Sequence, residues 1–167
     1  MVEKPVPQTP PPLSSAGDAV LPDLPRVIER LHRRFLDVLR AELTRQGVRD
    51  LAPVQMLLLL NMDAAEVAVQ ELIDRGSYLR AQTFYNIKKM VEHGYLEQTR
   101  SKTDRRIVQI RPTKKSQGLC ETIRTRQREL AVEFLRGEDR PDALEQAHRV
   151  LRRLERTWDD YLRYGRP

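Results

Sequence analysis

ELIDRGSYLRAQTFYNIKKMVEHGYLEQTRSKTDRRIVQIRPTKKSQG, residues Glu71–Gly118, is the stretch on which the reading of this chain turns. Its periodicity changes midway. Across Tyr78–His93, Phe84, Ile87 and Met90/Val91 recur at helical spacing, and Gly94 stands where a helix C-cap is placed. From Tyr95 to Arg100 and again from Arg106 to Ile110 the pattern has period two, with Pro112 closing the second run. Ser101-Lys102-Thr103-Asp104 between them is polar and turn-like. The spacing therefore predicts an amphipathic helix followed by one β-hairpin with a basic tip.

Working outward, Val67–Ile73 reads as a brief amphipathic helix ended by Arg75-Gly76. Ala52-Pro53 opens another short helix through Asn61. Val54 and Met56–Leu60 make that helix apolar nearly all round, so it is expected to be buried. Leu24, Val27, Leu31, Phe35, Val38 and Leu43 form a longer helical stripe, with Asp23 as N-cap, Pro25 just inside and Gly47 as stop.

After the hairpin two long helices are expected. The first, about Lys114–Arg136, has Leu119, Ile123, Leu130 and Phe134 on one side and Gly137 beyond. The second, about Arg140–Tyr164, is capped by Asp139 with Pro141 in its first turn. Leu144, Ala147, Leu151, Leu154, Trp158 and Tyr161 are spaced 3, 4, 3, 4, 3, a coiled-coil seam. Such a seam needs a partner helix, in the same chain or in a second copy. At the other end, residues 1–22 hold six of the eleven prolines and read as a disordered or extended tail.

Composition narrows the function classes. A chain of 167 residues with 32% charged and 40% hydrophobic residues suits a soluble fold with a real core. Its longest apolar run, Met56–Leu60, is far short of the roughly 20 residues that span a bilayer. The N-terminus has no basic region followed by an apolar stretch, so neither a membrane nor a secretory address is expected, and a cytoplasmic setting is. The single cysteine, Cys120, allows no intrachain disulfide and no zinc-finger ligand set. The three histidines, His32, His93 and His148, all fall on expected helices, with no His/Glu pair at metal spacing and no phosphate-binding glycine loop. Neither an enzyme nor a bound cofactor or metal is expected. His93, before Gly94, reads as a helix C-terminal residue.

Charge is unevenly placed. Residues 75–115 carry eleven Lys/Arg against three acids, an excess of eight in a chain whose net charge is +6. Such concentration points to a polyanion, although a charge run alone is usually a solvated face. The order of elements argues for the polyanion. A helix in the major groove buries one face on its own domain and offers the other to base edges. Phe84, Ile87 and Val91 are the expected anchors. The opposite arc carries Arg80, Gln82, Thr83, Tyr85, Asn86, Lys88 and Lys89. Gln and Asn can pair with adenine, Arg with guanine, and the two lysines suit phosphates. Arg100, Lys102, Arg105 and Arg106 surround the hairpin, and an arginine at a loop tip can enter a narrowed minor groove.

Residues 50–118 resemble the DNA-binding half of MarR-family transcriptional regulators. Asp104-Arg105-Arg106, with Thr113 seven residues after Arg106, is similar to the family's wing signature: Asp-x-Arg, a hydrophobic strand, and a threonine that starts the next helix. Met90, Gly94 and Tyr95 match the end of the recognition helix, Leu-x-x-x-Gly-Leu. The segment Tyr85–Lys89, YNIKK, resembles an alphaproteobacterial LdtR-like subgroup. Ser116, Pro112, Ala68 and Ala81-Gln82 depart from the family's usual Gly, Leu, Ser/Thr cap and Ser-Thr.

The resemblance implies a mainly α fold with one small β-hairpin: a winged helix-turn-helix with long N- and C-terminal dimerisation helices. It divides the chain into a tail (1–22), a dimerisation helix (23–47), the DNA-binding domain (48–113) and C-terminal dimerisation helices (114–167). It also implies a homodimer held by Leu24, Val27 and Leu31 and by the seam Leu144, Ala147, Leu151, Leu154, Trp158 and Tyr161. The partners implied are double-stranded DNA with a pseudo-palindromic operator, half-sites about 34 Å apart, and a second copy. Repression, released by a small aromatic effector, is the family's commonest mode. Phe35, Leu39, Met56, Leu59 and Phe134 could line the effector pocket, and serve equally well as ordinary core. The alternatives are a helical-dimer interaction protein, an RNA-binding winged helix, and a thiol redox sensor through Cys120. For Cys120 a small buried hydrophobe is the simpler role.

Overall fold

The computed structural model describes residues 19–62, 66–76, 80–101, 103–104, 106–136 and 142–165, with the backbone alone at 74–76, 80 and 81. The tail through residue 18 lies outside the described residues, as do Lys102, Arg105, Gly137, Asp139 and Pro141. The chain forms two compact units, one ending at Glu121 and the other beginning at Thr122.

Helix α1 spans Leu24–Arg45. Pro25 sits in its first turn, where a missing N–H costs nothing. Asp23 occupies the N-cap place but makes no side-chain cap; its carboxylate instead meets Arg30 at 3.8 Å. Leu39 and Leu43 are buried where α1 packs on α2, Pro53–Asn61. Between them the chain turns at Gly47, whose φ of +70° places it in the left-handed region open to glycine. The Val48 N–H donates to the Leu43 carbonyl at 2.9 Å, closing the helix end. Met56, Leu58 and Leu59 are buried, as an all-apolar helix requires.

Strand β1, Val67–Ala68, leads directly into α3, Val69–Gly76. Helix α4 is Arg80–Glu92. Strands β2, Leu96–Arg100, and β3, Val108–Pro112, make the expected hairpin. The sheet has three strands rather than two, in the order β1-β3-β2, all antiparallel. Val67 and Ala68, read from sequence as the start of a helix, instead pair with Ile110 and Gln109. Their pairing covers an edge of β3 that a two-strand hairpin leaves open. The register of β1 reaches only to Ile110, so Pro112 interrupts no ladder on that side.

Helix α5 runs Lys114–Leu135. Ser116, Cys120 and Ile123 are buried on it, whereas Leu130 and Phe134 are exposed, so the stripe expected along its whole length holds only for the first half. Thr113 caps it: the Ser116 N–H donates to Thr113 Oγ1 at 3.3 Å. Helix α6 is Ala143–Tyr164 and has no buried residue. Its seam is a continuous apolar stripe, and only Leu154 of the six is partly covered.

Candidate nucleic-acid interface

Helix α4 and the hairpin after it hold the residues that the sequence places at a nucleic-acid interface. The buried face of α4 is set by Thr83, Ile87 and Met90. These lie at i, i+4 and i+7, one stripe of a 3.6-residue helix. Two sequence-based assignments are therefore corrected. Thr83, placed on the DNA-facing arc, is only 4% exposed, and Phe84, placed as an anchor, is 48% exposed. The reason is register. Ile87 and Met90 belong to the core stripe, and four residues before Ile87 stands Thr83, not Phe84. Phenylalanine's hydrophobicity drew the expectation one residue off. Thr83 still suits an inner position, because its branched Cβ packs and a threonine hydroxyl can bond locally.

Gln82 and Tyr85 are exposed, Tyr85 by 61%, and Asn86 is half-buried on the flank beside α2. Arg80 opens the helix, placed by its backbone alone. Lys88 and Lys89 lie in the last turns and both reach Glu92, at 3.9 and 2.9 Å. The Lys89 hydrogen bond holds the Glu92 carboxyl below its usual range and raises Lys89 in turn. These lysines are partly neutralised before any partner arrives.

The wing is built by short polar residues. The buried Ser101 hydroxyl accepts from the Thr103 N–H at 3.3 Å and the Asp104 N–H at 3.5 Å. The Asp104 carboxylate accepts from the Arg106 N–H at 2.9 Å, and the Ser101 N–H donates to the Ile107 carbonyl at 3.0 Å. Asp104 thus shapes the turn from which Arg106 projects. An aspartate that bonds a backbone N–H two residues on is a common turn device. Arg111 is taken by Glu97 across the strands at 2.6 Å. Among the described basic residues between 75 and 115, Arg100, Arg106 and Lys114 have no acidic partner among the described residues, and two of these three are on the wing.

A polar junction fixes the helix-to-wing corner. Gly94, at φ +73°, ends α4, and Tyr95 turns inward. The Tyr95 hydroxyl donates to Asp50 Oδ1 at 2.6 Å. Burial, then this bond, pushes the phenol well above its usual value, and the same bond holds the Asp50 carboxyl below its own. Lys115 Nζ stands 3.8 Å over the Tyr95 ring, 3.6 Å from Asp50 Oδ2, and donates to the His93 carbonyl at 3.1 Å. His93 Nδ1 lies 2.7 Å from the Asp50 carbonyl, which only accepts, so that nitrogen carries the proton. Thr113 Oγ1 donates to the Gly94 carbonyl at 2.8 Å. Lys115, counted in the basic excess, therefore works as a clamp; its long side chain and the tyrosine ring were the signals for it.

The remaining expectations fall elsewhere. Leu39, Met56 and Leu59 are fully buried core side chains, Phe35 is half-buried, and Phe134 is exposed in the other unit, so the five form no shared lining within either unit. Leu24 and Val27 are half-buried and Leu31 is exposed. Cys120 is buried and in no disulfide. No group of three His, Cys, Asp or Glu able to hold a metal occurs among the described residues, and no described helix is long and apolar enough to cross a membrane.

A three-stranded winged helix, with its reading helix set before the hairpin, is the architecture of a large class of nucleic-acid-binding domains. Comparison with known proteins narrows the class. Residues 49–107 match the MarR family. The exopolysaccharide II synthesis transcriptional activator ExpG of Rhizobium meliloti is 38% identical over 143 residues, spanning 86% of this chain and 74% of that protein. A SlyA-like transcription regulator from Listeria monocytogenes shares the fold at a TM-score of 0.71 with 18% identity, over 85% of this chain and 95% of that one. A mutant E. coli MarR complexed with operator DNA does so at 0.64 with 19% identity, over 84% and 99%. The chain belongs to the MarR family of transcriptional regulators.

Proposed function

We propose that the protein binds operator DNA in a sequence-specific manner as a homodimer, with α4 in the major groove and the wing on the adjacent minor groove and phosphates. The observation that carries this reading is the pairing of an exposed polar arc on α4 with a wing whose Arg100 and Arg106 lack acidic partners among the described residues. Gln82, Tyr85 and Asn86 have hydrogen-bonding tips within that arc, Phe84 adds an apolar contact suited to a thymine methyl, and Arg80 lies at its start. Wing position 105 and position 102 add two more cations in sequence. MarR and FabT, proteins of the same fold, have been solved in complex with DNA, which supports DNA as the partner.

Dimerisation is supported by α6. Five of its six seam residues are exposed, which a 22-residue helix in water does not sustain without a partner helix. A second copy supplies one, and two-fold symmetry then calls for a pseudo-palindromic operator. A small aromatic effector that favours one spacing of the two reading heads would shift DNA affinity by its differential affinity for the two states. Repression follows when the operator overlaps the polymerase site. The name of the R. meliloti relative gives activation as the other outcome, reached when the operator lies upstream.

The test is selection of duplexes from a randomised pool, followed by titration of Arg106→Ala across salt concentrations. Losing one phosphate contact lowers the log–log salt slope by about 0.9. An unchanged slope removes Arg106 from the interface, and failure to enrich any duplex overturns sequence-specific binding.

A further inference from the structure

A side-chain hydrogen bond joins α4 to α2. Gln55, buried in the first turn of α2, places Nε2 3.3 Å from Oδ1 of Asn86. The far end of the same amide is fixed: Gln55 Oε1 accepts the Ala52 backbone N–H at 2.8 Å. A backbone N–H only donates, so the Gln55 oxygen must face Ala52 and its NH2 must face α4. That NH2 also only donates, so the Asn86 oxygen must face Gln55. The chain of bonds runs in one direction from the start of α2 to the exposed arc of α4, and it leaves the Asn86 NH2 as the atom turned away from α2.

We infer that Asn86 meets DNA as a hydrogen-bond donor, with Gln55 as the positioning residue that sets its polarity. The inference rests on the proposal that α4 reads DNA. Its target is an acceptor without a donor on the same base edge: guanine O6/N7, thymine O4 or a phosphate oxygen. The bidentate adenine pairing open to a free asparagine needs oxygen and nitrogen side by side on one base edge, and here the oxygen is turned to α2. The start of α2 thereby sets specificity at a position it does not touch.

The experiment uses the full-length protein and a duplex selected from a randomised pool. Asn86→Asp keeps the acceptor for Gln55 and replaces the outward NH2 by oxygen; at least a tenfold loss of affinity is expected. Gln55→Glu keeps the bond to Ala52, as glutamate does in many helix first turns, but faces Asn86 with an acceptor. Asn86 must then rotate its oxygen outward, so this variant is expected to lose affinity and to shift base preference at one operator position away from guanine or thymine, or to lose one phosphate contact. Thermal melts read by circular dichroism verify that both variants are folded. Duplexes with one methylphosphonate, with 7-deazaguanine or 6-thioguanine, or with 4-thiothymine, separate the possible acceptors: the modification that removes or weakens the true partner weakens wild type and leaves Asn86→Ala unchanged. Tyr85→Ala and Gln82→Ala serve as controls. If they too bind as wild type, the DNA-reading role of α4 has failed. If they weaken binding while folded Asn86→Asp and Gln55→Glu match wild type, or if replacing one adenine by purine, which lacks the N6 amino group, weakens wild type and leaves Asn86→Ala unchanged, the polarity inference is overturned.

Discussion

Phe84→Ala separates the observed register of α4 from the one hydropathy suggests. If Phe84 anchored the helix in the core, its truncation would cost about 3–5 kcal/mol, as for other buried phenylalanines. The side chain is 48% exposed. Full burial of a side chain of this size contributes about 1.5–3 kcal/mol, so the covered half amounts to about 0.8–1.5 kcal/mol. Ile87→Ala, three residues on and buried, should cost about 2–5 kcal/mol. Urea unfolding followed by circular dichroism, at one fixed protomer concentration because a dimer's stability depends on it, gives both numbers. A Phe84→Ala cost above about 3 kcal/mol, or one equal to that of Ile87→Ala, refutes the Thr83–Ile87–Met90 face. The same variant bears on recognition. If the exposed ring meets a thymine methyl, replacing that thymine by deoxyuridine weakens wild type and leaves Phe84→Ala indifferent.

Three further outcomes follow from the structure. Asp50 has a carboxyl held low by Tyr95, so the stability it adds is present above the ordinary carboxylate value near about 4 and is lost as pH falls through its lower folded value; the stability gap between wild type and Asp50→Asn should be flat above about pH 5 and close on acidification, and a gap that widens in acid contradicts this. Leu151→Glu or Leu154→Glu puts charge into the α6 seam, and sedimentation should show monomers; a persisting dimer moves the interface off α6. Cys120, buried at 4% exposure, should react with a maleimide in the folded protein far more slowly than in urea, and equal rates would revive the thiol-sensor alternative.

What the sequence disclosed follows the strength of each local signal. Pro25, Gly47, Pro53 and Gly94 punctuate helices through backbone geometry alone, and each stands where the pattern put it. The hairpin was legible because its period and turn residues agree. β1 was not, since two residues that pair only with a distant strand leave no periodic trace. On α4 the stripe was shifted because its first buried member is a threonine, and position on a helix outweighs hydropathy when a flanking aromatic has nowhere to pack. The roles of Asp104 and Lys115 were hidden for a different reason. Both are charged residues in a basic region, yet their partners, the Arg106 N–H in one case and Asp50, Tyr95 and the His93 carbonyl in the other, are settled only by the fold.

Hydroxyl-radical footprinting of the full-length protein on its selected duplex, with the bound mass measured in parallel, tests the central claim most directly. Two protomers per duplex, protecting two half-sites about one helical turn apart on one face, is the predicted result. A single protected half-site carrying one protomer, or protection independent of sequence, would contradict it.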